Sequence, residues 1–176
     1  QSGGISDSTQ LRSYAQLLGA AMGTSFNYPQ LAGRGCPPPF TNNVTQARVG
    51  GATASTCDLR VPRHGPFNNV AVPGNVVANL FTNFGPPPSS FDPLKTIFLG
   101  GRTELDHLTD LQPTFITAWI GANDVLGALI SSTNAGDSTQ ITAAAAFNSA
   151  YDSVATVLAG TGARGVVLVN VPDVTI

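Results

Sequence analysis

The sequence is that of an α/β protein built on a doubly wound parallel sheet. Apolar runs with β-branched and aromatic members, at residues 115–120 (FITAWI) and 165–171 (GVVLVNV), read as strands buried on both faces. Runs whose apolar residues recur at steps of three and four alternate with them and read as helices. Strands also end in polar or glycine turns that lead straight into helices, at Pro73-Gly74 and at Gly121-Ala122-Asn123-Asp124. In open α/β sheets such junctions lie at the carboxyl ends of the strands, where ligands bind.

Taken in order, residues 1–7 form a Gly/Ser-rich entry. Asp7 or Ser8 caps a helix that carries Leu11, Tyr14, Leu17, Leu18, Ala21 and Met22 on one face and ends at Gly23. Residues 26–31 read as a short edge strand, demoted by Pro29. Residues 32–66 are punctuated by Gly, Pro and Asn and keep no period. So long an irregular connection is a functional segment or an insertion. A short strand follows at 68–72. Pro73-Gly74 turns the chain into a helix with Val76, Val77, Leu80, Phe81 and Phe84 on one face, ended by Gly85 and the prolines 86–88. Residues 91–101 are apolar and close with Gly100-Gly101, and a helix is expected over about 102–111.

Pro113 opens the strand 115–120, at a position where a missing N–H is tolerated. Val125, Leu126, Ala128, Leu129 and Ile130 follow the turn with helical spacing. Residues 131–137 are a polar loop, either the lining of a substrate mouth or a plain connector. Asp137 or Ser138 opens a long helix carrying Ile141, Ala144, Phe147, Tyr151, Val154 and Leu158, closed by Gly160. The strand 165–171 ends at Pro172-Asp173. The whole of 1–176 fits one domain with an irregular insertion at about 32–66.

Composition narrows the function. Apolar residues make up 42 %, enough for a core, while charged residues are only 10 %, against the roughly 25 % usual in globular domains. Net charge is −2 and no basic cluster occurs, which argues against nucleic acid or an anionic membrane as the main partner. No apolar run is long enough to span a bilayer as a helix. Cys36 and Cys57 both fall in the irregular segment, as a disulfide or as buried thiols. A bridge would close a local loop, add about 3 kcal/mol in the chain-entropy model, and imply export to an oxidising compartment. Cys36, Cys57 and His64 do not have the spacing of a zinc set, so neither metal nor cofactor is expected. Asn43-Val44-Thr45 is a glycosylation acceptor where the source glycosylates.

Chemistry concentrates at the turns. Asn123 offers amide donors to a developing oxyanion, or else Asn123 or Asp124 caps the helix that follows. Gly74 leaves room for a substrate to approach backbone N–H groups at a helix start, or serves turn geometry alone. Right-handed crossovers would bring both corners to one rim of the sheet. His107, between Asp106 and Leu108 with Asp110 nearby, reads as an exposed helix histidine in preference to a catalytic base. His64 is read in the same way.

Gly121-Ala122-Asn123-Asp124, behind an apolar strand ending in Trp-Ile, resembles the third block (Gly-x-Asn-Asp) of the SGNH/GDSL hydrolase family, and NNVAVPGNVV resembles its second block. The resemblance covers most of residues 7–173. It implies a flavodoxin-like three-layer αβα sandwich with a parallel sheet, here incomplete. It implies a secreted serine ester hydrolase, an esterase or lipase, with an oxyanion hole made by the Gly74 N–H and the Asn123 side chain. The substrate class would be a small-molecule or lipid ester, and the location secreted, periplasmic or exposed on the cell envelope. Asp124 would hold the turn, and Trp119 would sit in the core.

The family's nucleophile block and its Asp-x-x-His block have no match here. Gly4-Ile5-Ser6-Asp7-Ser8 mimics the first block, but no strand precedes it, so neither Ser6 nor Ser8 is expected to be the nucleophile. The chain then reads as an internal piece of a longer domain, inactive alone. A different class, a non-catalytic exported binding or structural module on the same scaffold, fits the missing Ser and His. Acyl and alcohol specificity and oligomeric state are not legible. In the family's strand order the first strand is central, and its loss leaves neighbouring strand edges and apolar helix faces open. Residues 1–176 made alone are therefore expected to aggregate or to unfold without cooperativity. A monomer with a cooperative thermal transition and native-like near-UV dichroism would contradict this.

Overall fold

The computed structural model describes residues 5–33, 35–36, 40–42, 45, 47–48, 60–61, 66–82, 84–85, 90–91, 93–130 and 134–171. The chain divides into two units, Gln1–Val70 and Ala71–Ile176. The class is mixed α/β, with helices and a small two-stranded parallel sheet.

In the first unit, helices α1 (Asp7–Gln10) and α2 (Tyr14–Ala21) replace the single expected helix. The break has a local cause. Ser13 stands in extended conformation as an N-cap, its hydroxyl accepting the Gln16 N–H at 3.3 Å. The start also lies earlier than Asp7 or Ser8: Ser6 is the N-cap of α1, and its N–H donates to Thr9 Oγ1 at 2.8 Å. Gly23 follows α2 with φ +66, as a helix-ending glycine does. The expected apolar face is not a buried one, since Leu11, Tyr14, Leu17 and Met22 are all exposed.

Residues 26–31 form no strand. A single antiparallel bridge joins Leu31 to Arg60, and the Val61 N–H donates to the Gln30 carbonyl at 2.9 Å. Two long-range contacts join described residues of this unit. The Tyr28 hydroxyl donates to Asp7 at 2.7 Å, and the Arg60 guanidinium lies 4.4 Å from the Phe67 ring centre. Within the irregular segment, β1 (Phe40–Asn42) pairs antiparallel with β2 (Ala47–Arg48). Cys36 is buried and disulfide-bonded. Cys57, His64 and the sequon residue Asn43 lie outside the described residues.

In the second unit the chain runs through a 3-10 helix (Val77–Phe81), β3 (Phe84–Gly85), β4 (Ser90–Phe91), α3 (Pro93–Leu99) and α4 (Glu104–Leu111). It continues through β5 (Phe115–Ala118), α5 (Asn123–Ile130), a 3-10 turn (Ser138–Gln140), α6 (Ala144–Gly160) and β6 (Gly165–Leu168). β5 and β6 pair in parallel, with Ile116 opposite Val166 and Ala118 opposite Leu168. Parallel strands need a long crossover, and here α5 and α6 supply it. Val77, Ile116, Val154 and Leu158 form the buried centre, with Leu80, Leu108 and Phe147 packed against it.

Several expectations are corrected from residue 68 onward. The strand expected at 68–72 is absent, because no described strand lies beside it to complete a ladder. Phe84 is not on a helix: Thr82 turns extended and the chain enters the β3–β4 hairpin. The long C-terminal helix begins at Ala144, leaving Ile141 outside it, because Asp137 caps the short 3-10 turn instead. Its carboxylate accepts the Thr139 N–H at 2.9 Å and the Thr139 hydroxyl at 2.7 Å. The strands are not buried on both faces. Phe115, Val166, Val167 and Leu168 are exposed, since α6 covers β5 chiefly on the Ile116 side.

A reciprocal capping box starts α4. The Thr103 hydroxyl accepts the Asp106 N–H at 3.1 Å, and Asp106 accepts the Thr103 N–H at 3.0 Å. Those bonds, the backbone one first, hold the Asp106 carboxyl below its ordinary range. A depressed carboxyl stabilises the fold above its unfolded pKa, and that contribution is lost as pH falls through the lower folded value. Asp106→Asn should thus lower stability at pH 6 by under about 1 kcal/mol, given solvent screening. The gap from wild type in urea unfolding should close in strong acid. A gap that stays constant from pH 6 into strong acid would rule out this ionised cap.

Candidate functional site

The Pro73-Gly74 corner is a tight turn. The Asn75 N–H reaches back to the Val72 carbonyl at 3.4 Å, and Gly74 takes φ +88. Proline followed by a residue at positive φ is the type II pattern, and glycine alone adopts it without strain. Gly74 is exposed, and no atom lies within 4 Å of where a Cβ would stand. Among the described residues, no carbonyl is bonded to its N–H.

The second corner begins at Gly121, buried with φ +115. A Cβ there would stand 2.7 Å from Val171 Cγ2 and 3.2 Å from the Phe147 ring. Glycine is thus required both by backbone conformation and by the close approach of its neighbours. Asn123 is the first residue of α5, and its side-chain nitrogen donates to the Asn75 carbonyl at 3.0 Å. Asp124 is buried at 2 % exposure, and its Oδ2 accepts the Val77 N–H at 3.0 Å. The Asp124 carbonyl accepts the Thr142 N–H at 2.8 Å. Its other carboxylate oxygen, Oδ1, is buried and makes no hydrogen bond among the described residues.

The two corners therefore meet. Asn123 bonds the carbonyl of the residue that follows Gly74, and Asp124 bonds the first N–H of the 3-10 helix beyond it. Both side chains thus bond the opposite corner. An amide nitrogen carries two hydrogens, and the bond to the Asn75 carbonyl uses one of those of Asn123. The exposed Gly74 and the Asn123 amide thus stand at two corners joined by a hydrogen bond.

A buried polar network stands behind this corner. The Lys95 ammonium is fully buried and donates to Glu104 Oε2 at 2.8 Å and to the carbonyls of Asn79 and Thr82. The other Glu104 oxygen accepts from the Asn75 side-chain amide. Burial pushes the Glu104 carboxyl up, and the Lys95 ammonium opposes that rise. Sequence reading missed Lys95, Glu104 and Asn75. The one available signal was a lone lysine in the apolar stretch 91–99.

Other candidates are placed differently from expectation. His107 is buried, not exposed, and its Nε2 lies 3.0 Å from the Leu99 carbonyl, which binds α4 to the end of α3. Trp119 is 52 % exposed and outside the core, because it stands just past the paired end of β5. Ser6 serves as a helix cap. Among the described residues no group of His, Cys, Asp and Glu could hold a metal, and no helix is long and apolar enough to cross a membrane.

Comparison with models of known protein families, with curated proteins and with solved structures found no match for this chain.

Removing the Asp124 carboxylate leaves the Val77 N–H buried without an acceptor, which typically costs about 1–3 kcal/mol. In the full-length protein, Asp124→Ala should lower the free energy of urea unfolding by roughly 2 kcal/mol or more. A change below about 0.5 kcal/mol would mean that this bond does not hold the corners together.

Proposed function

We propose that the paired corners are the oxyanion-binding part of a serine ester hydrolase of the SGNH type. The supporting observation is the Asn123 side chain bonded to the carbonyl that follows Gly74, which joins the two corners. On this reading the chain is part of a flavodoxin-like three-layer αβα sandwich, of which β5 and β6 are neighbouring parallel strands. The nucleophilic Ser and the His base come from residues outside 1–176, so the chain alone is inactive.

The chemistry then runs as acyl transfer. A serine oxygen attacks the ester carbonyl carbon while the histidine takes its proton, and the carbonyl oxygen becomes an anion. The Gly74 N–H and the other Asn123 N–H bond that anion more strongly than they bond the neutral carbonyl. The alcohol leaves with the proton from the histidine, and water releases the acid by the same route in reverse. No metal or cofactor is called for. The substrates are small-molecule or lipid esters, and the disulfide at Cys36 favours a secreted or cell-envelope setting.

In the full-length protein, Asn123→Ala should lower kcat on a short acyl ester by about 10²–10³-fold with little change in KM. A serine-directed fluorophosphonate should label the same protein covalently. A full-length protein that neither hydrolyses esters nor takes the label would favour the non-catalytic module. Unchanged turnover in Asn123→Ala would remove that residue from the oxyanion site.

A further inference from the structure

We propose that the buried Lys95–Glu104 pair is a positioning device that fixes the Asn123 amide through Asn75. The inference rests on the oxyanion reading only for its catalytic consequence; the positioning itself is a statement about order at the corner. The hydrogen bonds form a line that passes through Asn75, from its side-chain amide to its backbone carbonyl. Lys95 on α3 donates to Glu104 on α4, Glu104 accepts from the Asn75 side chain, and the Asn75 carbonyl accepts from Asn123 on α5. Asn75 is itself buried at 3 %, so its amide has no access to bulk water as an alternative.

Packing does not account for the charges. Two apolar residues of similar volume would join α3 to α4 without the desolvation that a buried ion pair must overcome. The pair is retained with its bonds made. Lys95 has acceptors in Glu104, Asn79 and Thr82, and both Glu104 oxygens are bonded. A connected network of this kind in a low-dielectric interior holds its members in one arrangement. Here its member next to Asn123 is Asn75, the residue that follows Gly74. The line therefore sets the turn that carries one candidate donor and orients the other. Because Lys95 also binds the carbonyls of Asn79 and Thr82, the 3-10 helix beyond the turn is held by the same ammonium.

Lys95, Glu104 and the Asn75 side chain are positioning residues, and none is assigned contact with the reacting atoms. The test uses ¹⁵N-labelled full-length protein, with the Asn123 NH₂ resonances assigned by their loss in Asn123→Asp. Wild type should show one ordered pair protected from exchange with solvent. Asn75→Ala keeps the carbonyl that Asn123 bonds but cuts the line to Glu104. It should reduce that protection by about tenfold, while the Val154 and Leu158 backbone amides keep theirs. Lys95→Met should do the same, and if it does not fold, Asn75→Ala decides.

Asn123 protection unchanged in Asn75→Ala, with the core intact, would overturn the proposal. In ester assays Asn75→Ala should lower kcat by about tenfold or more at nearly constant KM. The resonance readout needs no turnover. Full-length protein inactive toward esters would sink the oxyanion reading, and the positioning claim would still be decided by the Asn123 pair.

Discussion

The second unit depends on one bond: the buried Asp124 carboxylate accepting the N–H of Val77. A helix start leaves its first N–H groups without partners inside the helix. Val77 is such a start, fully buried, and so its N–H cannot turn to water. An acceptor has to come from elsewhere in the chain, and α5 supplies it from its own first turn. The geometry that follows is forced. If Asp124 must reach Val77, then Asn123 beside it lies against Asn75, whose carbonyl its amide bonds. Stability of the packed core and convergence of the two corners thus have the same cause.

Glycine makes the approach possible from both sides. Gly121 admits Val171 and the Phe147 ring where a Cβ would collide, which lets the chain enter α5 close to α6. Gly74 has empty space around it and a positive φ, so the same residue type serves exposure at one corner and close packing at the other. Behind them, the Lys95–Glu104 pair replaces water for the carbonyls at the end of the 3-10 helix. Polar groups that would be costly if orphaned in the interior are bonded in a line that ends at Asn123.

Much of the site was legible in the sequence because turn chemistry is local. Pro-Gly before an apolar run and Gly-x-Asn-Asp after one define their corners within a few residues, and both corners form where expected. The strands expected at 115–120 and 165–171 were legible as apolar runs, and strands form there over 115–118 and 165–168. What was not legible depends on partners distant in sequence. Residues 68–72 have the composition of a strand, yet a ladder needs a neighbour. His107 looks solvated among Asp106 and Asp110, and only the end of α3 folding over it shows that its ring is buried. Asp124 reads locally as a cap for its own helix, but its hydrogen bond runs to residue 77. The aromatic Trp119 reads as core and stands exposed where strand pairing stops.

Native-state hydrogen exchange of the Val77 backbone amide in the full-length protein tests this account most directly. An N–H at the first position of a short 3-10 helix ordinarily exchanges fast, because nothing within the helix bonds it. Held by a buried carboxylate, it is expected to exchange as slowly as the Leu158 amide in the middle of the core. Fast exchange at Val77, with Leu158 protected, would mean that the two corners are not clamped together and that their donors do not share a site.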